Sequence, residues 1–556
     1  MPDVVRPSPL VSEGDPRVTE LRLALVCFGG VSLAIYMHGI TKEVHSLLRA
    51  SRAFDAALAN AGDGDPSPDA LPDGGTERAY FAQLVELWRA GVPTTTTVDI
   101  ITGTSAGGIN GICLAQAAVC GSGQDSLTQL WMERGDIGGL MRYGFLGQHV
   151  GELATALVMP WKAGSDWSPL KGDDMCRWLY GALADMESAT ATGTPMSLLP
   201  EGGTLDLFVT ATDLHGTDQV LAVGAGGGLH DRTYHRVFEF HYEPHAAGAV
   251  SLAASRGGAT INTIGKGHAW PLAFAARATS CFPGAFPPIS LADFADAVAK
   301  LPANTGEYNP DRFAALFMPE YRLLPNGNPA KAYMMDGGVL DNAPFDHAIA
   351  AIASKPAGRE VVRHLVFIEP DPGDASPGAS VDHLAAADAD QSAAGDKPPT
   401  WAAGVWAALS TIPHHQPLLN SVQRLADVNE RVATIGRVTR ELEDDVMAQL
   451  QQRGVTVPDR AAPMTFDELK ATAKTVYDAV PALVGELNHR TYGRLKMQAI
   501  ADRLARDLAA NLTYPPTSSQ AGFLRAAMVE WVHAQPAWSD PNSDVVQAWL
   551  GPLDLP

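Results

Sequence analysis

Residues 95–119 read TTTVDIITGTSAGGINGICLAQAAV. Thr95 to Thr102 is β-branched and aliphatic, the composition of a buried strand, and Ala106 to Val119 is small and apolar, the composition of a buried helix. Between them Gly103-Thr104-Ser105-Ala106-Gly107 fits G-x-S-x-G. In a strand–turn–helix setting this spacing describes a nucleophile elbow. Small flanking residues let the chain reverse tightly, and the serine hydroxyl stands out above the sheet end. The helix start behind it offers N–H groups and positive partial charge where an oxyanion would form. A plain tight turn between a strand and a helix has the same spacing, so the motif gains meaning only with a base to match it.

A second stretch, Leu23 to Ile40 (LALVCFGGVSLAIYMHGI), holds 18 residues without Asp, Glu, Lys or Arg. That length reaches the threshold for a membrane-spanning helix. Its Gly29-Gly30, Ser32, His38 and Gly39 suit that role poorly, and Ile100 to Gln124 is a longer run with even more Gly and Ser. Both read better as a buried strand, a glycine turn and a buried helix. The glycine pair is not a phosphate loop, since no P-loop lysine follows it.

The strands Leu21 to Phe28, Thr95 to Thr102, Leu205 to Thr212 and His364 to Ile368 alternate with helical segments at Ala34 to Ala50, Asp173 to Glu187 and Trp270 to Ala278. Such alternation predicts an α/β domain around a mostly parallel sheet. Glu369 to Thr400 is rich in Pro, Ala, Asp, Gly and Ser and has no Phe, Trp or Tyr, which marks a linker or mobile loop. Beyond it, apolar residues from Leu419 to Leu450 recur every three or four positions and predict one long helix. Further helices are expected over Thr465 to Leu487, Arg490 to Leu512 and Ala521 to Ala534. The expected organisation is a flexible tail over 1–20, a catalytic α/β domain over 21–372, an acidic linker over 373–400 and a helical region over 401–556.

The formal charge of −22 repels nucleic-acid phosphates and argues against nucleic-acid partners. Cys27, Cys113, Cys120, Cys176 and Cys281 are odd in number and have no CxxC spacing, so neither a disulfide framework nor a zinc site is expected. The first 20 residues carry Pro and charges but no apolar h-region, which makes a reducing, cytoplasmic setting the expectation.

A base for Ser105 is offered by Asp336 in MMDGGVLDN (334–342), although a DGG triplet alone is an ordinary turn. Taken together, the Gly-rich turn after the first strand, GxSxG and Asp336-Gly337-Gly338 appear in an order that resembles the patatin-like phospholipase family. Ala275 to Pro288 (AARATSCFPGAFPP) and Thr210-Ala211-Thr212-Asp213-Leu214 are also similar to segments of that family, so the likeness covers roughly residues 21 to 372. It implies a three-layer α/β/α fold and a lipid acyl hydrolase that needs no metal or cofactor. Ser105 would be the nucleophile, Asp336 its base, and the N–H groups around Gly29, Gly30 and Val31 the oxyanion site. An unperturbed carboxylate, with a pKa of about 4, is a weak base at neutral pH, so positioning would carry most of the rate. The chain departs from the family's GGGxRG at Val31, Leu33 and Ala34; Leu33 stands in place of an arginine. Arg277 is a candidate for the missing positive charge.

Other readings stay open at this level. His347, His364, His414 or His415 would complete a Ser-His-Asp triad by chain order. His235, Glu239 and His241 would share one strand face, as metal ligands or as a polar surface. The apolar stretch Ile137 to Leu170 suits a flap over the serine or ordinary core. Glu441, Glu443, Asp444 and Asp445 suit a solvated helix face. A soluble-ester or thioester hydrolase, and a non-catalytic lipid-binding scaffold, are the rival functions. Glycerolipid or phospholipid substrates and peripheral membrane contact are what the resemblance favours.

Overall fold

The computed structural model describes residues 18–30, 34–60, 65–133, 170–188, 197–200, 202–223, 227–243, 262–283, 285–299, 301, 310–322, 328–357, 360–369, 419–454, 466–512 and 518–535, with isolated positions at 514, 538, 544 and 548. Two compact units result, Met1–Ser421 and Val422–Pro556.

The first unit is built on six strands: β1 (Thr19–Cys27), β2 (Thr94–Gly103), β3 (Leu205–Val223), β4 (Gly227–Tyr242), β5 (Met334–Asp336) and β6 (Val361–Ile368). Their order across the sheet is β4-β3-β2-β1-β6, with β5 joined to β3. The pairs β1–β2, β1–β6 and β2–β3 are parallel, while β3 pairs antiparallel with β4 and β5. The predicted mixed α/β class with a mostly parallel sheet is therefore what the chain adopts.

The helices of this unit are α1 (Ala34–Asn60), α2 (Thr76–Arg89), α3 (Ser105–Cys120), α4 (Asp125–Glu133), α5 (Gly172–Ser188), α6 (Ala269–Thr279), α7 (Leu291–Val298), α8 (Pro310–Phe317) and α9 (Phe345–Ser354). Side chains of β1 alternate between two apolar clusters. Leu23, Leu25 and Cys27 pack with α1, α3, α5 and α6, whereas Ala24 and Val26 pack with Phe345, Ala348 and Ala351 of α9. Burial on both faces explains why the LALVC run carries no charge. Helix α3 is buried along its whole length, as its composition predicts.

Strand β2 is buried throughout although it begins with four threonines and contains Asp99. Several of its polar groups find partners, while Thr97 Oγ1 is buried without one. Ser51 Oγ accepts from Thr96 N at 2.8 Å, and Arg363 holds Asp99 with two hydrogen bonds of 2.8 and 2.6 Å. A buried carboxylate is tolerated when it is paired in this way.

Two elements run further than the sequence suggested. Helix α1 continues ten residues past Ala50 because Phe54 and Leu58 pack on Phe81, Leu84, Val85 and Trp88 of α2, a helix that sequence patterning did not single out. Strand β3 runs to Val223 and not to Thr212, since an irregularity between Thr212 and Thr217 absorbs the turn-like residues and pairing with β4 resumes beyond it.

In the second unit, α10 (Leu419–Gln452) matches the predicted long helix, and α12 (Ser519–His533) matches the expected last one. Between them α11 (Phe466–Asn511) is one helix and not two: it continues through Asn488 and His489, whose helix propensities are only a few tenths of a kcal/mol below those of better formers. Its core joins Met497, Ile500 and Ala501 to Val532, and Arg525 pairs with Asp502 at 3.1 Å. The predicted linker, the flap stretch 137–169, and Val31 and Leu33 lie outside the described residues. Among those described, no helix is long and apolar enough to cross a membrane.

Candidate active site

The parallel strands end on one edge of the sheet. Cys27, Gly103 and Ile368 are in register there, Gly103 pairs with Val209, and Asp336 pairs with Ala211 just beyond. The turn after β1, the elbow after β2 and the end of β5 therefore meet. Edges of this kind, at the carboxyl ends of strands, are where open α/β sheets hold their ligands.

At the elbow Ser105 has φ +52°, and it is the one non-glycine residue with positive φ among those described. An L-residue pays roughly 1–2 kcal/mol for this conformation, so packing must enforce it. Gly107 shows how. A Cβ there would lie 2.4 Å from both the Cys27 and Phe28 carbonyl oxygens, and one on Gly103 would lie 2.7 Å from the Gly107 oxygen. Thr279 Oγ1 accepts from Ser105 N at 2.8 Å. Thr104 Oγ1 donates to the Asp341 carbonyl at 2.9 Å and lies 2.6 Å from Thr210 Oγ1, which is itself 3.2 Å from that carbonyl.

The serine hydroxyl donates to Asp336 Oδ2 at 2.8 Å, and the other carboxylate oxygen accepts from Gly338 N at 2.8 Å. Asp336 is anchored by its own backbone: its N–H donates to the Cys281 carbonyl at 3.0 Å, and its carbonyl accepts from Thr212 Oγ1 at 2.9 Å. Gly337 is required by close approach, because a Cβ would meet Thr210 Oγ1 at 2.2 Å. Asp336 is almost wholly buried. Burial raises its pKa to about 7, against the opposing effects of the Gly338 and Ser105 hydrogen bonds and the Arg277 charge. The expectation of a weak base with a pKa near 4 is thus corrected: desolvation brings the carboxylate close to the range that suits a base at neutral pH.

Gly29 lies close to the serine, for a Cβ added to it would be 3.3 Å from Ser105 Cβ. Its N–H, however, donates to the Asn342 carbonyl at 3.2 Å. Gly29 therefore shapes the turn, and its amide is not free for the oxyanion role expected of it; Gly30 lies in the described part of the turn. Val31 lies outside it. Ala106 and Gly107 add first-turn amides of α3, which have no acceptor within their own helix.

Asn342 went unassigned in the sequence. It is buried, and its Nδ2 donates to the Gly29 carbonyl at 3.3 Å, so it ties the glycine turn to the segment that carries Asp336. Its only sequence signal is its place six residues after the aspartate. Replacing Asn342 by Ala removes this tie. We expect covalent labelling of Ser105 to slow about tenfold, with a stability loss of about 1 kcal/mol in a denaturant titration. An unchanged labelling rate would mean that the turn holds its shape without Asn342.

Arg277 is fully buried in α6, under the Phe286 ring at 4.6 Å, and its Nη2 donates to the Pro287 carbonyl at 3.4 Å. It lies beside the Cys281 and Cys176 thiols and close enough to Asp336 to oppose the rise in its pKa. Its charge bears on the Asp336 carboxyl from the segment Ala275 to Pro288.

The histidine readings resolve differently. His364 is exposed in the middle of β6, opposite Leu23 and away from the elbow's edge, and His414 and His415 lie outside the described residues. His347 joins His235 at Asp341 and not at the serine. His235, Glu239 and His241 do share the outward face of β4, but His235 and His241 are six residues apart, about 20 Å along a strand, too far for one ion. His241 pairs with Asp206 of β3, which also holds Lys355 at 2.8 Å. The five cysteines are all buried thiols.

No family model and no solved structure matches the chain. It is 29% identical over 376 residues to the uncharacterized membrane protein Rv3479 of Mycobacterium tuberculosis. The match takes in 66% of this chain and 29% of that protein, so the chain spans less than a third of the relative's length.

Proposed function

We propose that the chain is a patatin-like acyl hydrolase of three-layer α/β/α fold that cleaves carboxylic esters of glycerolipids or phospholipids through a Ser105–Asp336 dyad. The observation that carries this reading is the 2.8 Å bond from Ser105 Oγ to Asp336 Oδ2, made by a serine held at φ +52°. Ser105 attacks the acyl carbonyl while Asp336 takes its proton. The negative charge on the former carbonyl oxygen falls among the amides of Gly30 and Ala106 and the start of α3. The protonated Asp336 then supplies the leaving alcohol with its proton. The same carboxylate next takes a proton from water, which attacks the acyl–serine and releases the fatty acid. None of these steps calls for a metal or an organic cofactor.

Support for a lipid substrate comes from the family resemblance around this dyad. The relative's name as a membrane protein accords with a substrate presented at a lipid surface and with peripheral contact. The experiment is fluorophosphonate labelling of the full chain. Wild type should label at a single site, and Ser105→Ala should not label at all. An unlabelled wild type, or a labelled Ser105→Ala, overturns the reading. Release of fatty acid from phospholipid vesicles, set against hydrolysis of short soluble esters, then separates the lipid assignment from a soluble esterase.

A further inference from the structure

A second group of reactive side chains sits behind the loop that carries the base. His235 comes from β4, Asp341 from the segment after β5, and His347 from the first turn of α9. Asp341 Oδ2 lies 3.2 Å from His235 Nε2 and 3.7 Å from His347 Nε2, and one donor atom of each residue falls within 4.8 Å of the other two. The imidazole rings are parallel, 5.6 Å apart and inclined by 6°, and Phe208 stacks on the far side of His347 at 5.9 Å.

We propose that His235, Asp341 and His347 form a binding site for one divalent transition-metal ion of the zinc class. Two imidazole nitrogens and one carboxylate oxygen are the donor set that borderline ions such as Zn²⁺ prefer over Mg²⁺ or Ca²⁺. Bonds of about 2.0–2.1 Å at tetrahedral angles put ligand atoms about 3.3 Å apart, close to the two separations measured here to Asp341. An imidazole nitrogen binds a metal in the plane of its ring, so the two parallel rings must tilt toward a common point, and close by up to about 1.5 Å, to complete three corners. All three side chains are partly exposed, so solvent has access and a water can take the fourth corner.

The placement gives the ion a purpose. Its three ligands belong to a strand, a loop and a helix, so binding clamps β4 to the segment Asp341–His347, more than a hundred residues further along the chain. The Asp341 carbonyl also receives the hydroxyl of Thr104, next to Ser105, and Asp341 N donates to Gly337 at 2.8 Å. The clamp therefore closes on the segment that runs from Asp336 to Asn342. It is a brace, and it takes no part in the proton transfer between Ser105 and Asp336. It does not depend on the hydrolase reading, because the geometry of the three ligands stands whatever the serine does.

The test uses the full chain without an affinity tag, stripped with a chelator and titrated with Zn²⁺ in a calorimeter, with Mg²⁺ in parallel and Co²⁺ as a spectroscopic probe. We expect one Zn²⁺ per chain, submicromolar affinity at neutral pH, little response to Mg²⁺, and the visible d–d absorption of four-coordinate Co²⁺. Saturating Zn²⁺ should raise the melting temperature by about 4 °C or more. His235→Gln, Asp341→Asn and His347→Gln should each weaken binding at least thirtyfold, while His364→Gln should leave it unchanged. His235→Gln changes a partly exposed position on β4, outside the segment that carries the other two ligands, so it remains informative if either of them folds poorly. The proposal fails if wild type binds no zinc, or if His235→Gln binds it as tightly as wild type. Because no substrate or serine probe is involved, failure here and failure of the hydrolase reading are separately visible.

Discussion

Asp336→Asn should slow fluorophosphonate labelling of Ser105 by about a thousandfold or more and, at pH 8, should make the protein more stable than wild type. Both effects follow from the burial of one carboxylate. In the folded chain its pKa is about 7, against an ordinary value of 3.8. Between those values the folded state holds a proton that the unfolded state has released. The stability contributed by the neutral acid is therefore fully present below about pH 4 and is lost as pH rises through 7. An amide cannot ionise and escapes that loss. After allowance for an imperfect fit of the amide to its two hydrogen-bond donors, we expect a gain of about 1–3 kcal/mol at pH 8 that vanishes by pH 4. Activity has the opposite slope. In wild type the labelling rate should fall about tenfold per pH unit below pH 6, as the base becomes protonated. Melting curves and labelling rates across pH 4 to 9 measure both slopes. A variant less stable than wild type at pH 8, or a wild-type rate flat between pH 5 and 8, would show that Asp336 is not a desolvated base.

Gly107→Ala should cost more than about 4 kcal/mol, or displace the elbow altogether. The added methyl would sit 2.4 Å from two backbone carbonyl oxygens at the end of β1, and neither can rotate away as a side chain could. The instructive control is Gly181→Ala in α5, where nothing lies within 4 Å of the new carbon. That change should stabilise by about 0.5–1 kcal/mol through helix propensity alone. Urea midpoints of the two variants give the comparison. Equal midpoints would mean that the turn after β1 and the elbow do not touch as described.

The elbow and the sheet could be read from the chain because both are written locally. Residues 95–119 carry a strand, glycines at fixed offsets and a helix within one window, and the apolar runs of β1 and β2 declare burial on both faces. Asp336 is different. Its triplet is common in turns, and only its order after the other motifs singled it out. Its raised pKa could not be read at all, since desolvation depends on what β3, α6 and the 281–290 segment bring to it in three dimensions. The same holds for Asn342 and for the meeting of His235, Asp341 and His347. His235 lies more than a hundred positions before Asp341 and His347, and no spacing rule joins it to them. The extension of β3 past Thr212 was hidden because DLHGTD reads as a turn, while the strand absorbs it as an irregularity. The continuity of α11 was hidden because weak helix formers are outvoted by a long helix around them.

The left-handed backbone at Ser105 also says something about how such a site would decay. Glycine is the residue most at ease there, and replacing serine with it would relieve roughly 1 kcal/mol of strain. Backbone strain taken by itself thus favours glycine over serine at position 105. A serine still seated there, with its hydroxyl 2.8 Å from a buried carboxylate, is held against that backbone preference.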